Sequence, residues 1–118
     1  MAKRVAIVGT GQTFHKSHRP DVNGQELINE AVQRALADAG LKMKDIDAVL
    51  IGNMDHFEGI NYVDCWSVDG SGGVMKPVLK ITTGGTTGAS LAIGGYHMVG
   101  SGMFDKVLII GWEKNSES

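Results

Sequence analysis

The stretch Val78-Leu79-Lys80-Ile81-Thr82-Thr83-Gly84-Gly85-Thr86-Thr87-Gly88, with the uncharged run that follows it to Gly100, governs how the rest of the chain is read. Val78 to Thr82 is expected to form a short strand that turns sharply at Gly84-Gly85. A helix is expected to follow from Thr86 to Gly100. It carries no charged residue on any face and holds Gly88, Gly94 and Gly95 inside it. A helix without a polar face is a buried helix. Each interior glycine costs about 1 kcal/mol relative to alanine, so close packing has to compensate. Ser101-Gly102 ends the helix, and Lys106 to Gly111 reads as a further strand built on Val107-Leu108-Ile109-Ile110. Such a β-α-β unit belongs to parallel sheets, whose strands are near-continuous apolar runs.

Working upstream, Ala48 to Gly52 is a second apolar strand of the same kind, and Arg4 to Gly9 is expected to be a fully buried one. Between these two, Leu27, Ile28, Ala31, Ala35 and Leu36 recur at helical spacing, with Glu30, Gln33, Arg34 and Asp38 on the other face. Asn23 with Glu26 three residues on forms a capping-box pattern, and Gly40 suits the left-handed residue after the end. The expected element is an amphipathic surface helix over Gly24 to Ala39. Residues 53–77 read as a long loop, and loops of that length are functional sites or interfaces. The order is β-α-β-loop-β-α-β, a layered α/β arrangement with one exposed helix and one lying under a further layer. Trp112 to Ser118 follow a strand with no closing element, so the chain is expected to be a fragment or one partner of something larger.

The 118 residues suit one domain with a real core. With 42% hydrophobic and 20% charged residues, the class is globular rather than disordered. The net charge is -2, and the short cluster His15, Lys16, His18 and Arg19 is the sole basic concentration, so nucleic acid and anionic membranes are not expected partners. The uncharged stretch Ile81 to Met103 holds too many glycines and threonines, and His97, for a membrane span. Cys65 is the single cysteine, which fits a reducing, cytoplasmic setting, and no signal peptide is visible.

Gly9-Thr10-Gly11 after a strand is not a dinucleotide fingerprint, because Phe14 stands where the third glycine belongs. It is read as a tight turn. The Gly84–Gly88 elbow offers backbone N–H groups at a helix start, suited to an anion or oxyanion. The glycines also serve a sharp turn without any ligand. No Walker lysine is present. His56, between Asp55 and Glu58, has the chemistry of a base or ligand but lacks a second ligand at zinc spacing, so no metal site is expected. His97 is expected to be a hydrogen-bonded core histidine, and Cys65 a small buried or interfacial residue beside Trp66.

Three segments together resemble the start of the thiolase superfamily, in its sterol-carrier/lipid-transfer type. Val5-Ala6-Ile7-Val8-Gly9-Thr10-Gly11-Gln12-Thr13 is similar to its first strand and turn. Ile81-Thr82-Thr83-Gly84-Gly85-Thr86-Thr87-Gly88-Ala89 resembles its nucleophile elbow. Val99 to Leu108 resembles the end of its buried helix and the next strand, and Gly111-Trp112-Glu113-Lys114-Asn115-Ser116 its Gly-x-Glu-x-x-Ser. The order and spacing of these segments carry the likeness, which spans nearly the whole chain.

The resemblance implies that residues 1–118 are a partial N-terminal domain of the layered αβαβα thiolase fold, a mostly parallel sheet with one buried helix. It implies a nucleophilic cysteine at the elbow, accepting an acyl group from coenzyme A. Matching Gly88 to the glycine of the family's Cys-x-x-Gly pattern puts Gly85 at that position, so no acyl-cysteine can form there. Gly84, Gly85, Thr86 and His56 are the expected substrate-binding residues, and the family's catalytic histidine and second cysteine belong to a C-terminal half. No bound cofactor is expected, coenzyme A entering as part of the substrate. The resemblance also implies a homodimer, and in the aldolase-like subgroup lacking this cysteine, a small zinc-ribbon/OB-fold partner. Three readings stay open: a lyase of retro-aldol type on acyl-CoA thioesters, a non-catalytic acyl-CoA- or lipid-binding subunit, and an acetyl-CoA acyltransferase whose nucleophile was substituted.

Overall fold

In the computed structural model, which describes residues 3–117, the first helix forms where its local signals put it. α1 spans Gly24–Ala39. The Asn23 side chain accepts from Glu26 N while the Glu26 carboxylate accepts from Asn23 N, each at 2.9 Å. This closes two N–H groups that would otherwise lack partners. Gly40 ends the helix at φ 67°, a left-handed conformation that costs glycine nothing.

Three parallel strands follow: β1 (Ala48–Gly52), β2 (Val78–Ile81) and β3 (Val107–Gly111), in the order β2-β1-β3. β1 is central, pairing Val49 with Val78 on one side and with Leu108 on the other. Every residue of β1 is buried, as a strand covered on both faces must be. Alternation splits the sheet between two helices. Val49, Ile51, Leu108 and Ile110 join Ile28, Val32 and Leu36 of α1 in one core. The opposite face, with Leu50, Gly52 and Ile109, meets α4 (Thr87–Gly100), whose Gly94 lies against Leu50 and Ile81 and whose Gly95 lies against Ile109. The result is the expected layered α/β arrangement with a parallel sheet.

Several sequence expectations do not hold. Arg4 to Gly9 is neither a strand nor buried: the segment has no ladder, Ile7 is 85% exposed and Val8 65%. A strand needs a neighbour's backbone, and this segment lies on α1 instead. A side-chain carbon at Gly9 would come within 2.7 Å of Ala39, and one at Gly11 within 2.4 Å of the Ala31 carbonyl. Gly9-Thr10-Gly11 is therefore a close-approach device and not a tight turn. The α4 helix is covered on its sheet face alone, where Leu91 and Gly95 are buried, while Ile93 and Tyr96 are more than half exposed. No further layer lies over it among the described residues, and His97 is exposed rather than in the core. Residues 53–77 hold two short helices, α2 (Val63–Trp66) and α3 (Val68–Ser71), and α3 packs on α1. Cys65 and Trp66 are both exposed.

Candidate functional site at the carboxyl ends of the strands

In open parallel sheets, ligands bind where the carboxyl ends of the strands release their loops. Here those ends release three segments: residues 53–62 after β1, the elbow 82–88 after β2, and 112–116 after β3. The four expected substrate-binding residues, Gly84, Gly85, Thr86 and His56, lie in these loops.

Threonines build the elbow. Residues Gly84–Thr86 make a 3-10 turn that passes directly into α4. Thr87 Oγ1 accepts from Thr83 N at 3.0 Å and donates to the Gly84 carbonyl at 2.8 Å. Thr86 Oγ1 donates to the Thr83 carbonyl at 2.8 Å, and Thr83 and Ser90 join their hydroxyls at 2.8 Å. These bonds fix the turn without the side-chain cap that α1 uses. Gly84 sits at φ 62°, in the left-handed region, so its identity is set by the backbone. Gly85 is different. Its φ is not positive, and a side-chain carbon added to it would meet nothing within 4 Å. The backbone does not require glycine there, and a longer side chain would project into open space.

The loop after β1 is held by Asn53, a buried residue the sequence did not single out. Its Nδ2 donates to the Trp112 carbonyl at 2.9 Å, its Oδ1 accepts from Asp55 N, and its own carbonyl accepts from Thr82 Oγ1 at 2.7 Å. One side chain and its backbone thus tie all three strand ends together. Glu113 completes the tie by accepting from Met54 N at 2.7 Å and lying 3.3 Å from Asn53 Nδ2.

The Glu113 carboxyl is pushed above the usual glutamate range, chiefly by burial. The Met54 amide opposes that shift, while the charge and hydrogen bonding of Glu58 add to it, with a further push from Asp55. Glu58 accepts from Lys114 N at 2.8 Å through one oxygen, and its second oxygen is buried without a donor. Glu113 holds its proton more tightly for lying in this pair of carboxyls. Asp55 is neutralised by an ion pair with Lys80 and accepts from Val63 N at 3.2 Å.

Gly84, Gly85 and Thr86 therefore stand together, at an exposed elbow. His56 is exposed, and its ring packs edge-on against Phe57 with centroids 5.5 Å apart. No hydrogen bond or ring contact joins it to the elbow among the described residues. Nor does any group of three histidine, cysteine or acidic side chains among the described residues stand ready to hold a metal ion. No described helix is long and apolar enough to cross a membrane.

No protein-family model matches the chain. It is 30% identical over 117 residues to sterol carrier protein 2 of Gallus gallus, covering 97% of this chain and 21% of that protein. It is 30% identical over 115 residues to an acetyl-CoA acetyltransferase of Methanothermobacter thermautotrophicus, covering 96% of this chain and 30% of that one. Among solved structures, 3-oxoacyl-[acyl-carrier-protein] synthase III from Aquifex aeolicus superposes with a TM-score of 0.68 at 19% identity, over 85% of this chain and 32% of that one. The priming β-ketosynthase of the R1128 polyketide pathway does so with a TM-score of 0.68 at 22% identity, over 81% and 29%. The chain thus spans less than a third of the length of the curated relatives it matches. The structural likenesses give the fold, and with the sequence relatives they support a thiolase-like superfamily.

Proposed function

We propose that these residues are part of the N-terminal domain of a protein acting on acyl-CoA thioesters, cleaving or forming a carbon–carbon bond by retro-aldol chemistry without an acyl-cysteine. Gly85 carries this reading. It stands at the nucleophile position of the elbow and offers no atom on which an acyl group can be held.

The chemistry then needs charge stabilisation rather than a thiol. In the cleavage direction a base takes the β-hydroxyl proton of a 3-hydroxyacyl thioester, and the bond between the α and β carbons breaks. Its electron pair passes into the thioester as an enolate while the β carbon leaves as a carbonyl compound. A proton returned to the α carbon gives the shortened acyl-CoA. N–H groups at the start of α4, with Gly84, Gly85 and Thr86 around them, suit the oxygen on which that negative charge develops. His56 is the loop residue we assign to substrate binding, and the acid and base are expected from outside residues 1–118.

The same reading includes a homodimer. Leu79 on the strand before the elbow, with Tyr62, Trp66 and Met75 in the long connection, is exposed and apolar, the kind of surface such a contact would cover. A small zinc-ribbon/OB-fold partner remains part of the proposal.

Intact mass spectrometry of the full polypeptide or complex containing this chain, after incubation with a panel of acyl-CoA and 3-hydroxyacyl-CoA thioesters, tests it, with products analysed in parallel. Cleavage products without a protein mass shift are expected. An acyl adduct on this chain would sink the cysteine-free mechanism. Neither products nor adduct would shift the assignment to a binding subunit.

A further inference from the structure

Residues 56–61, in the connection after β1, stand apart from the packed layers. His56, Gly59, Ile60 and Asn61 are exposed, while Phe57 and Glu58 are half-buried. Two residues in the left-handed region bracket the segment, Asp55 at φ 58° and Tyr62 at φ 59°, and it turns at Gly59 with φ 66°. That backbone suits glycine, is tolerated by aspartate and strains tyrosine. The base of the segment is closed. Asp55 accepts from Val63 N at 3.2 Å, pairs with Lys80, and donates its own amide to Asn53 Oδ1. Fixed ends and a span with little packing to hold it are the character of a flap hinged at 55 and 62.

Glu58 fastens this span. Its Oε1 accepts from Lys114 N, in the loop after β3, at 2.8 Å. Its Oε2 is buried and has no donor, an arrangement that costs free energy. Beside it lies Glu113, which accepts from Met54 N at 2.7 Å and lies 3.3 Å from Asn53 Nδ2. Burial first, and then Glu58 against the opposing Met54 amide, holds the Glu113 carboxyl above the usual glutamate range, with Asp55 adding to the push. Of the nearby cations, Lys80 is paired with Asp55, and the Lys114 ammonium donates to the carbonyls of Arg19 and Val22 at 3.1 and 2.6 Å.

We infer that residues 56–61 are a pH-released flap at the carboxyl ends of the strands, latched by Glu58 to the loop after β3 while Glu113 is protonated and let go when Glu113 ionises. On ionisation two carboxylates meet where one oxygen already lacks a donor. Glu113 has two donors and follows directly on a strand. Glu58 has one donor and sits on the exposed span, and water would supply partners to both of its oxygens. The flap is therefore the part that moves. The sign follows from linkage: the latched form holds the proton more tightly, so it is favoured at low pH and lost as pH rises through the raised Glu113 value. One proton can change the ratio of open to latched forms by at most about tenfold per pH unit. The released flap takes His56 with it, which adds a control to the acyl-CoA reading. The latch itself is tested without any substrate, so it stands or falls separately from that reading.

The Lys114 amide reports the latch, because Glu58 is its acceptor. The test is hydrogen exchange of the polypeptide containing this chain, expressed as protection factors from about pH 4 to about pH 8 to remove the pH dependence of intrinsic exchange. Lys114 protection should fall with rising pH, by up to about tenfold per unit, while the Leu50 amide in β1 stays protected. Glu113→Gln and Glu58→Gln each remove one charge of the pair and keep an acceptor oxygen, so each should flatten the Lys114 profile. His56→Gln removes the other titratable side chain of the flap and should leave the slope unchanged. A flat profile in the parent, a slope that survives Glu113→Gln or disappears in His56→Gln, or an equal loss of protection at Leu50 would each overturn the inference.

Discussion

The two faces of the sheet are built from the same strands but stabilised differently. On the α1 side, large side chains interlock: Ile28, Val32 and Leu36 against Val49, Ile51, Leu108 and Ile110, nearly all fully buried. On the α4 side the backbone itself comes close, through Gly94 and Gly95, and the helix keeps apolar side chains on its outer surface. The first face gains its stability within these residues, from buried area and a capped amphipathic helix. The second gives up side-chain volume for proximity, and its helix has neither a side-chain N-cap nor a polar outer surface. A helix so built is suited to a position between layers, with the elbow at its head set firmly on the sheet. The lesson is that an uncharged, glycine-containing helix marks where backbone must approach backbone, and an amphipathic one where side chains do the packing.

The largest effect that would test this contrast is on the α1 side. Ile28→Ala removes a side chain that is 1% exposed, and is expected to destabilise the chain by about 2–5 kcal/mol in denaturant titration. The matching truncation on the outer surface of α4, Ile93→Ala, should stay within about 0.5 kcal/mol. Equal costs would show that the two helices are not packed in different ways.

Gly94→Ala comes next. Alanine is the better helix former by about 1 kcal/mol, but its methyl would sit 2.7 Å from Ile81 and 2.9 Å from Leu50. Overpacking of this kind costs about 1–3 kcal/mol, so a net loss of about 1 kcal/mol is expected by thermal or chemical unfolding. A stabilised variant would mean that α4 stands off the sheet.

The third effect is read as a pH dependence at the tie between strand ends. Glu113 is raised in the folded state, so the folded chain holds its proton more tightly than the unfolded chain does. Stability from this group is therefore present below the unfolded value, about 4.3, and is lost as pH rises through the higher folded value. Glu113→Gln keeps an acceptor for Met54 N and removes the charge. Its stability relative to the parent should improve as pH rises across that window, measured as the difference between two unfolding series. Taking the difference cancels Asp21, Glu30 and Asp105, whose pKa values are lowered by Arg19 and Lys3 and act in the opposite sense. A flat difference would place Glu113 outside the carboxyl pair.

What could be read from sequence was what local chemistry determines. The capping box at Asn23 and Glu26 and the glycine at 40 bounded α1, and the apolar run at 48–52 marked β1, because each signal lies within a few residues of its element. Arg4 to Gly9 has an equally apolar pattern, but a strand exists only beside another strand, and none pairs with this segment among the described residues. Gly9 and Gly11 looked like a turn because the alanines they approach are twenty or more residues away. Glu113 stood in the Gly-x-Glu-x-x-Ser pattern, but nothing in the sequence joined it to Asn53 and Glu58, since parallel strands bring their ends together from distant positions. The elbow's place at a strand end was legible, while the open space above Gly85 required the structure.

That open space sets the smallest expected change in stability. Gly85→Cys adds a side chain at a non-positive φ, where an added carbon meets nothing within 4 Å. The unfolding free energy should therefore shift by about 0.5 kcal/mol or less. Gly84→Cys is the paired control, because φ 62° strains any side chain, and it should lose about 1 kcal/mol or more. If the elbow lies as its resemblance implies, the thiol at 85 stands at the head of α4, where the helix dipole favours thiolate. Its alkylation by iodoacetamide should then run faster at neutral pH than that of Cys65, which is also exposed and serves as the internal reference. Fast alkylation with unchanged stability would mean that the site is shaped for a nucleophile its residue lacks. A large loss of stability would mean that glycine is there for the backbone, and the alignment that gives Gly85 its meaning would fail with it.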